Sequence, residues 1–242
     1  MRQCVVNPRT SGHARWVDVG PERFPGWIAS FARRHGANEH ESPLAVSLTG
    51  ENVTFTAPDG AVAECHPPFP PMADNSKKRA AATTAATAAA EAVAGHAQRP
   101  RTVGVLLVRL GGYSVGVFTG FPPALAAAKT GARLVHGRSA AGGWSQHRFA
   151  RRREKQVSEA LAAAARAAAD VFGRWGPGQL DAVVLGGDKR AMAELRRDPA
   201  LAPYMAIATE RFLTVPDPKR AVLEDAPRLF LAVKIRLREP TP

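Results

Sequence analysis

His136-Gly-Arg-Ser-Ala-Ala-Gly142-Gly143-Trp144-Ser145-Gln146-His147-Arg148-Phe-Ala-Arg151-Arg152-Arg153-Glu154-Lys155-Gln156 decides how the rest of the chain is read. The apolar residues before it, Ala132 to His136, predict a strand. Gly137 to Ser145 holds mostly small residues and predicts a loop. From about His147, Val157, Leu161, Ala164, Ala168, Val171 and Phe172 recur with a period near 3.6 and predict a helix ending at Phe172. Seven Lys or Arg residues lie between Arg133 and Lys155, against one acid, Glu154. A pliant tip on a cationic stalk is suited to reach into a polyanion.

Working outward, Val103 to Arg109 reads as a buried strand, Gly111-Gly112 as a hairpin turn and Tyr113 to Thr119 as the returning strand. Phe121-Pro122-Pro123 interrupts, and Ala124 to Lys129 reads as a short helical turn before the third strand. Beyond the long helix, Leu180 to Leu185 is an apolar strand. Asp188 caps a helix over Lys189 to Arg197, Pro218 to Ala226 is helical, and Leu229 to Leu237 is the last strand. A hairpin meander followed by strands alternating with helices predicts an α/β domain over 102–238, a mixed sheet with helices on its faces. The order resembles a ribonuclease-H-like sheet.

Upstream, Arg15 to Val19 reads as a short strand. A helix opened by Pro21 carries Phe24, Trp27, Ile28 and Phe31 on one face and stops at Gly36. Trp27 at that spacing belongs to a core. Leu44 to Thr49, Asn52 to Ala57 and Ala61 to Cys65 are strands joined by Gly50-Glu51 and Pro58-Asp59-Gly60 turns. This predicts a small α/β domain over 1–71, behind a poorly ordered arm, Met1 to His13. It carries no recognisable chemistry and reads as a docking or positioning module. Residues 72–101 are of low complexity: Lys77-Lys78-Arg79 leads into a run made almost wholly of Ala and Thr, with Val93 as its one large apolar side chain. They predict a linker or a marginal helix, or else a helix lying across a neighbouring sheet.

The net charge of +12 and the pI near 10.8 favour phosphate-rich partners. Cys4 and Cys65 form neither a CxxC pair nor a zinc spacing, so no disulfide framework and no metal are expected. With no signal-peptide pattern and no apolar run of ~18 residues, a cytoplasmic protein without a membrane partner is expected. Walker A, G-x-S-x-G, H-E-x-x-H and EF-hand patterns are missing from the sequence. The acids are too scattered for the convergent carboxylates of a ribonuclease-H nuclease. His136 and His147 flank the loop, either as a general-base pair or as ordinary polar loop residues.

Gly142 and Gly143 permit close approach of the backbone to a ligand. Gln146 falls at a helix N-terminus, whose unpaired N–H groups attract an anion, a developing oxyanion included. The plainer reading makes Ser145 an N-cap and the glycines a simple loop. The motifs separate the two. His136-Gly137-Arg138, then Gly142-Gly143, then Arg148-Phe149-Ala150-Arg151 resembles the middle domain of eukaryotic and archaeal peptide-release factors. A G-x-x-x-Q form over Gly142 to Gln146 is similar to the peptidyl-tRNA hydrolase branch of that superfamily, which serves ribosome quality control, and to its actinobacterial subgroup in particular. The resemblance covers roughly Val103 to Leu237. Trp144 stands where release factors have their glutamine, and the glutamine lies two residues on, so the loop must curl differently to deliver it.

The resemblance implies a ribosome-associated peptidyl-tRNA hydrolase that releases nascent peptides from stalled large-subunit complexes, working as a monomer without a cofactor. Its partners would be the large ribosomal subunit, ribosomal RNA and peptidyl-tRNA. It implies that Gln146, Gly142, Gly143 and Ser145 form the catalytic loop, and that Arg138, Trp144, His147, Arg148, Arg151, Arg152, Arg153 and Lys155 meet RNA. Two alternatives stand beside it: a non-catalytic RNA-binding module of the same fold, and an endonuclease acting at the tRNA 3′ end.

Overall fold

A computed structural model describes residues 14–38, 42–49, 51–72, 84–109, 112–132 and 145–240, with backbone only at 145–153 and 177. The arm at 1–13 and Cys4 lie outside the described residues. The chain divides into two compact units, one made of residues up to Gln98 together with those from Leu231, the other of Arg99–Phe230.

The first unit holds strands β1 (Arg15–Val19), β2 (Ala45–Thr49), β3 (Asn52–Thr56), β4 (Val62–His66) and β10 (Val233–Arg238), in the order β1-β10-β4-β3-β2 and antiparallel throughout. Alternation puts Val53, Phe55, Ala63, Cys65, Val233, Ile235 and Leu237 on one face, all buried. Helix α1 (Phe24–Arg34) lays Phe24, Ile28 and Phe31 on that core. Trp27 packs against it half-buried, its ring stacked on Phe31 at 5.8 Å. Burial pushes the Cys65 thiol up, so it stays protonated and inert.

Of the Ala-rich segment, residues 73–83 lie outside the described residues, and the rest forms a helix, the alternative that the sequence offered. Helix α2 (Ala85–Ala97) starts at Thr84, whose side chain accepts from the Thr87 N–H at 3.2 Å, and it buries Ala89, Ala90 and Val93 in the same core. Small side chains do not weaken this packing. They let the helix approach closely, and contact density replaces the missing bulk. His96 adds a polar anchor, its Nε2 donating to Pro68 O at 2.9 Å.

The second unit is built on β5 (Arg101–Arg109), β6 (Gly112–Gly120), β7 (Ala124–Ala132), β8 (Ala182–Gly187) and β9 (Ala208–Leu213), ordered β7-β6-β5-β8-β9. β5 and β6 form the expected antiparallel hairpin, β7 extends it antiparallel to β6, and β8 and β9 run parallel to β5. The third strand expected over Ala132 to His136 lies, beyond Ala132, outside the described residues. Helix α3 (Ser145–Gly173) covers one face, with Ala164, Ala168, Val171 and Phe172 buried against Leu106, Val115 and Val117. Helices α5 (Arg220–Glu224) and α6 (Ala226–Phe230) serve the other face. Phe230 meets Phe118 edge-on at 5.8 Å, and Leu223 packs where a Cβ on Gly116 would lie 3.0 Å away. The predicted fold class, a mixed sheet with helices on its faces behind an α/β unit, is what forms.

Three elements correct the sequence reading. Ala124 to Lys129 is strand, not a helical turn: ladder pairing with β6 overrides the alanine preference for helix. β9, unread in the sequence, completes the parallel edge. The last strand, β10, joins the first unit between β1 and β4, so the strand at its end does not belong to the sheet expected over 102–238.

Helix α4 (Lys189–Leu195) begins as expected at Asp188, whose Oδ1 accepts from the N–H groups of Arg190 at 2.7 Å and Ala191 at 3.1 Å. Asp188→Ala should therefore lower the stability of the chain by about 1 kcal/mol, and Asp188→Asn by much less, in urea denaturation. Equal losses in both would remove the cap from the account.

Candidate functional site

The backbone of α3 begins at Ser145, two residues earlier than the periodicity indicated. The hydrophobic pattern starts only at Val157, so it does not report on the turns before it. Gln146 is thereby the second residue of a 29-residue helix. Its N–H is among the first four of the helix, which have no intrahelical acceptor.

The helix runs antiparallel to β5. Near its C-terminus, the ring of Phe172 lies 3.0 Å from where a Cβ on Gly104 would stand. Further back, Val157 and Leu161 line a cavity of ≈ 380 Å³ together with Val108, Tyr113, Gly131 and Ala132, at the closing ends of β5 and β7. Residues 145–156 precede this level, a length of roughly 18 Å at 1.5 Å per residue. Glu154 and Lys155 on this stretch are exposed. Lower down, the Lys129 ammonium donates to Asp170 at 2.8 Å and ties the helix to β7. The bond holds the Asp170 carboxyl below its ordinary range and Lys129 above it.

His136, Arg138, Gly142, Gly143 and Trp144 lie outside the described residues. Ser145, Gln146, His147, Arg148, Arg151, Arg152 and Arg153 are placed by their backbone, all in the first turns of α3, with Lys155 following. Arg148, Arg151, Arg152 and Lys155, spaced i, i+3, i+4 and i+7, share one helical face.

Sequence reasoning missed the residues at the root of these turns. Arg109, whose Nη1 donates to Val215 O at 2.9 Å, and Arg190 line the same cavity. Tyr113 lies flat over Gly131 across the β6–β7 ladder: a Cβ on Gly131 would come within 2.5 Å of its ring. Gly131 is the next-to-last residue of β7, so the ring covers the strand at its end. The one signal was the glycine in an otherwise small-residue strand, which marks a close approach. Among the described residues no group of three or more His, Cys, Asp or Glu side chains is placed to hold a metal, and no helix is long and apolar enough to cross a membrane.

A comparison with curated proteins gave no match. Among solved structures, the chain is similar to an archaeal translation termination factor, aRF1, at 15% identity and a TM-score of 0.40, covering 88% of this chain and 64% of that one. It is also similar to the Vms1 mitochondrial localization core, at 10% identity and a TM-score of 0.36, covering 79% of this chain and 77% of that one. The chain thus spans less than two thirds of the archaeal factor's length. A family model described as the Actinobacteria/chloroflexi VLRF1 release factor, acVLRF1, matches residues 101–236, from β5 through most of β10. With more than half of its length inside that match, the chain belongs to the actinobacterial and chloroflexal VLRF1 release-factor family.

Proposed function

We propose that this protein is a ribosome-associated peptidyl-tRNA hydrolase that frees nascent peptides from large-subunit complexes. The observation that carries the reading is the position of Gln146 in the first turn of a 29-residue helix whose opening three turns are rich in arginine. A release factor must carry a small catalytic group through RNA to an ester, and a long helix with a cationic end suits that task. Membership of the VLRF1 release-factor family supports it.

In this mechanism water attacks the carbonyl carbon of the ester between peptide and tRNA. A C–O bond forms, the bond to the tRNA 3′ oxygen breaks, and that oxygen leaves with a proton as a hydroxyl. The N–H of Gln146 faces the oxygen on which charge develops. The Gln146 side-chain amide orients the water and excludes bulkier nucleophiles. Gly142 and Gly143 let the backbone come close, and Ser145 opens the helix. Arg138, Arg148, Arg151, Arg152, Arg153 and Lys155 meet phosphates, His147 lies among them, and Trp144 stacks on a base.

If about five phosphates are neutralised, log affinity for the large subunit falls with log salt at a slope of roughly −4. A flat salt response would remove the basic helix as an RNA surface. Product analysis tests the reaction itself. Release of free peptide and intact tRNA bearing a 3′ hydroxyl is expected, whereas a shortened tRNA would mean a nuclease.

A further inference from the structure

We propose that the open face of the five-stranded sheet in the first unit binds single-stranded RNA, with a base stacked on Trp16 and phosphates held by Lys234 and Arg236. Both helices of this unit share the core on the other face, with Val53, Phe55, Ala63 and Ile235. The face opposite carries a cross-strand row of Trp16, Arg236, Glu64, Thr54 and Ser47. In the next row, Lys234 stands between Asp18 and His66.

Trp16 is 59% exposed and, with Leu48, is one of two large apolar side chains left exposed among the described residues. Its ring leans across β10 to within 5.3 Å of the His66 ring, so the indole lies over the strand that bears Lys234 and Arg236. Burying an indole's area in water-free contact is its most favourable use, and 59% of this residue is left without it.

The surroundings decide what would cover it. A protein partner would need an apolar patch around the tryptophan to form a dry contact centre. Here every neighbour in the row is charged or hydroxylic. One flat ring among hydrogen-bonding groups suits a nucleobase, which offers a π-face and polar edges. The charge agrees. Lys234, Arg236 and Arg238 outnumber Asp18 and Glu64 on this face, and Glu64 is already engaged by His66 at 3.3 Å and Arg236 at 3.9 Å. The inference stands on the first unit alone and is independent of the hydrolase reading.

The test uses the full chain and a single-stranded RNA ten-mer carrying 5-iodouridine. Irradiation is expected to cross-link the peptide that contains Trp16. In anisotropy titrations Trp16→Ala should weaken binding about 5- to 150-fold at every salt concentration, with the salt slope unchanged. Trp16→Phe should keep most of the affinity. Lys234→Gln with Arg236→Gln should make the slope shallower by about 1.4, two phosphate contacts on a single strand. Cross-links confined to the second unit, or Trp16→Ala binding within twofold of wild type, would overturn the proposal. Should Trp16→Ala lower the melting temperature, the double glutamine variant decides alone, and an unchanged slope there would overturn it.

Discussion

Gln146→Pro is expected to slow peptide release at least as much as Gln146→Ala, and each by about 10²–10³-fold or more. Alanine removes the amide that orients water and keeps the N–H. Proline removes both. The comparison is clean because of where Gln146 sits. As the second residue of α3 it lies in the first helical turn, where proline is tolerated and no intrahelical hydrogen bond is lost. Both variants should bind large subunits as wild type does, since the cationic turns follow the site. Rates from single-turnover release, with binding measured by co-sedimentation, check this. A proline variant faster than the alanine variant would mean that the N–H stabilises no developing charge.

Gly187→Val is expected to destabilise the second unit by at least about 3 kcal/mol in urea denaturation. Gly187 has φ = 100°, and a Cβ there would stand 2.1 Å from the carbonyl oxygen of Val108 and 2.8 Å from its carbonyl carbon. That oxygen also accepts the Asp188 N–H at 2.7 Å, so it cannot move aside without releasing the chain that enters α4. The clash is with backbone on a central strand, and no rotamer change relieves it. A loss under about 1 kcal/mol would contradict the described crossing of β8 into α4.

How far these features were legible in the sequence follows from which forces set each element. The β5–β6 hairpin, β8 and the body of α3 were read correctly, because burial on one or both faces imposes a period that single residues display. β7 was not. Its alanines bury little, and only the ladder with β6 holds them extended. β9 was hidden because Glu210 and Arg211 break its apolar run. The Arg211 guanidinium is in fact satisfied by the carbonyls of Leu229 and Phe230 at 3.3 Å. β10 was read as a strand but given to the wrong sheet. Its alternation, with Val233, Ile235 and Leu237 inward, states a face and not a partner. α2 was undervalued because large side chains were taken as the measure of packing.

The site was legible in a different way. The arginine run was read from charge counting, and the Gly142, Gly143 and Gln146 spacing acquired a meaning only through motif resemblance; the family to which that resemblance pointed is the one whose model matches residues 101–236. The apolar period alone gave the start of α3 two residues late, since Ser145, Gln146 and His147 carry no apolar signal, whereas the polar residues had placed Gln146 at a helix N-terminus. Tyr113 over Gly131 was not legible. Contact across a ladder depends on register, and register is fixed by pairing rather than by either strand alone.

The most direct measurement is release of labelled peptide from purified large-subunit complexes carrying peptidyl-tRNA, wild type against Gln146→Ala. Rapid release by the wild type and near-background release by the variant, at equal occupancy of the subunit, is the predicted result. Equal release by the two proteins would contradict the account.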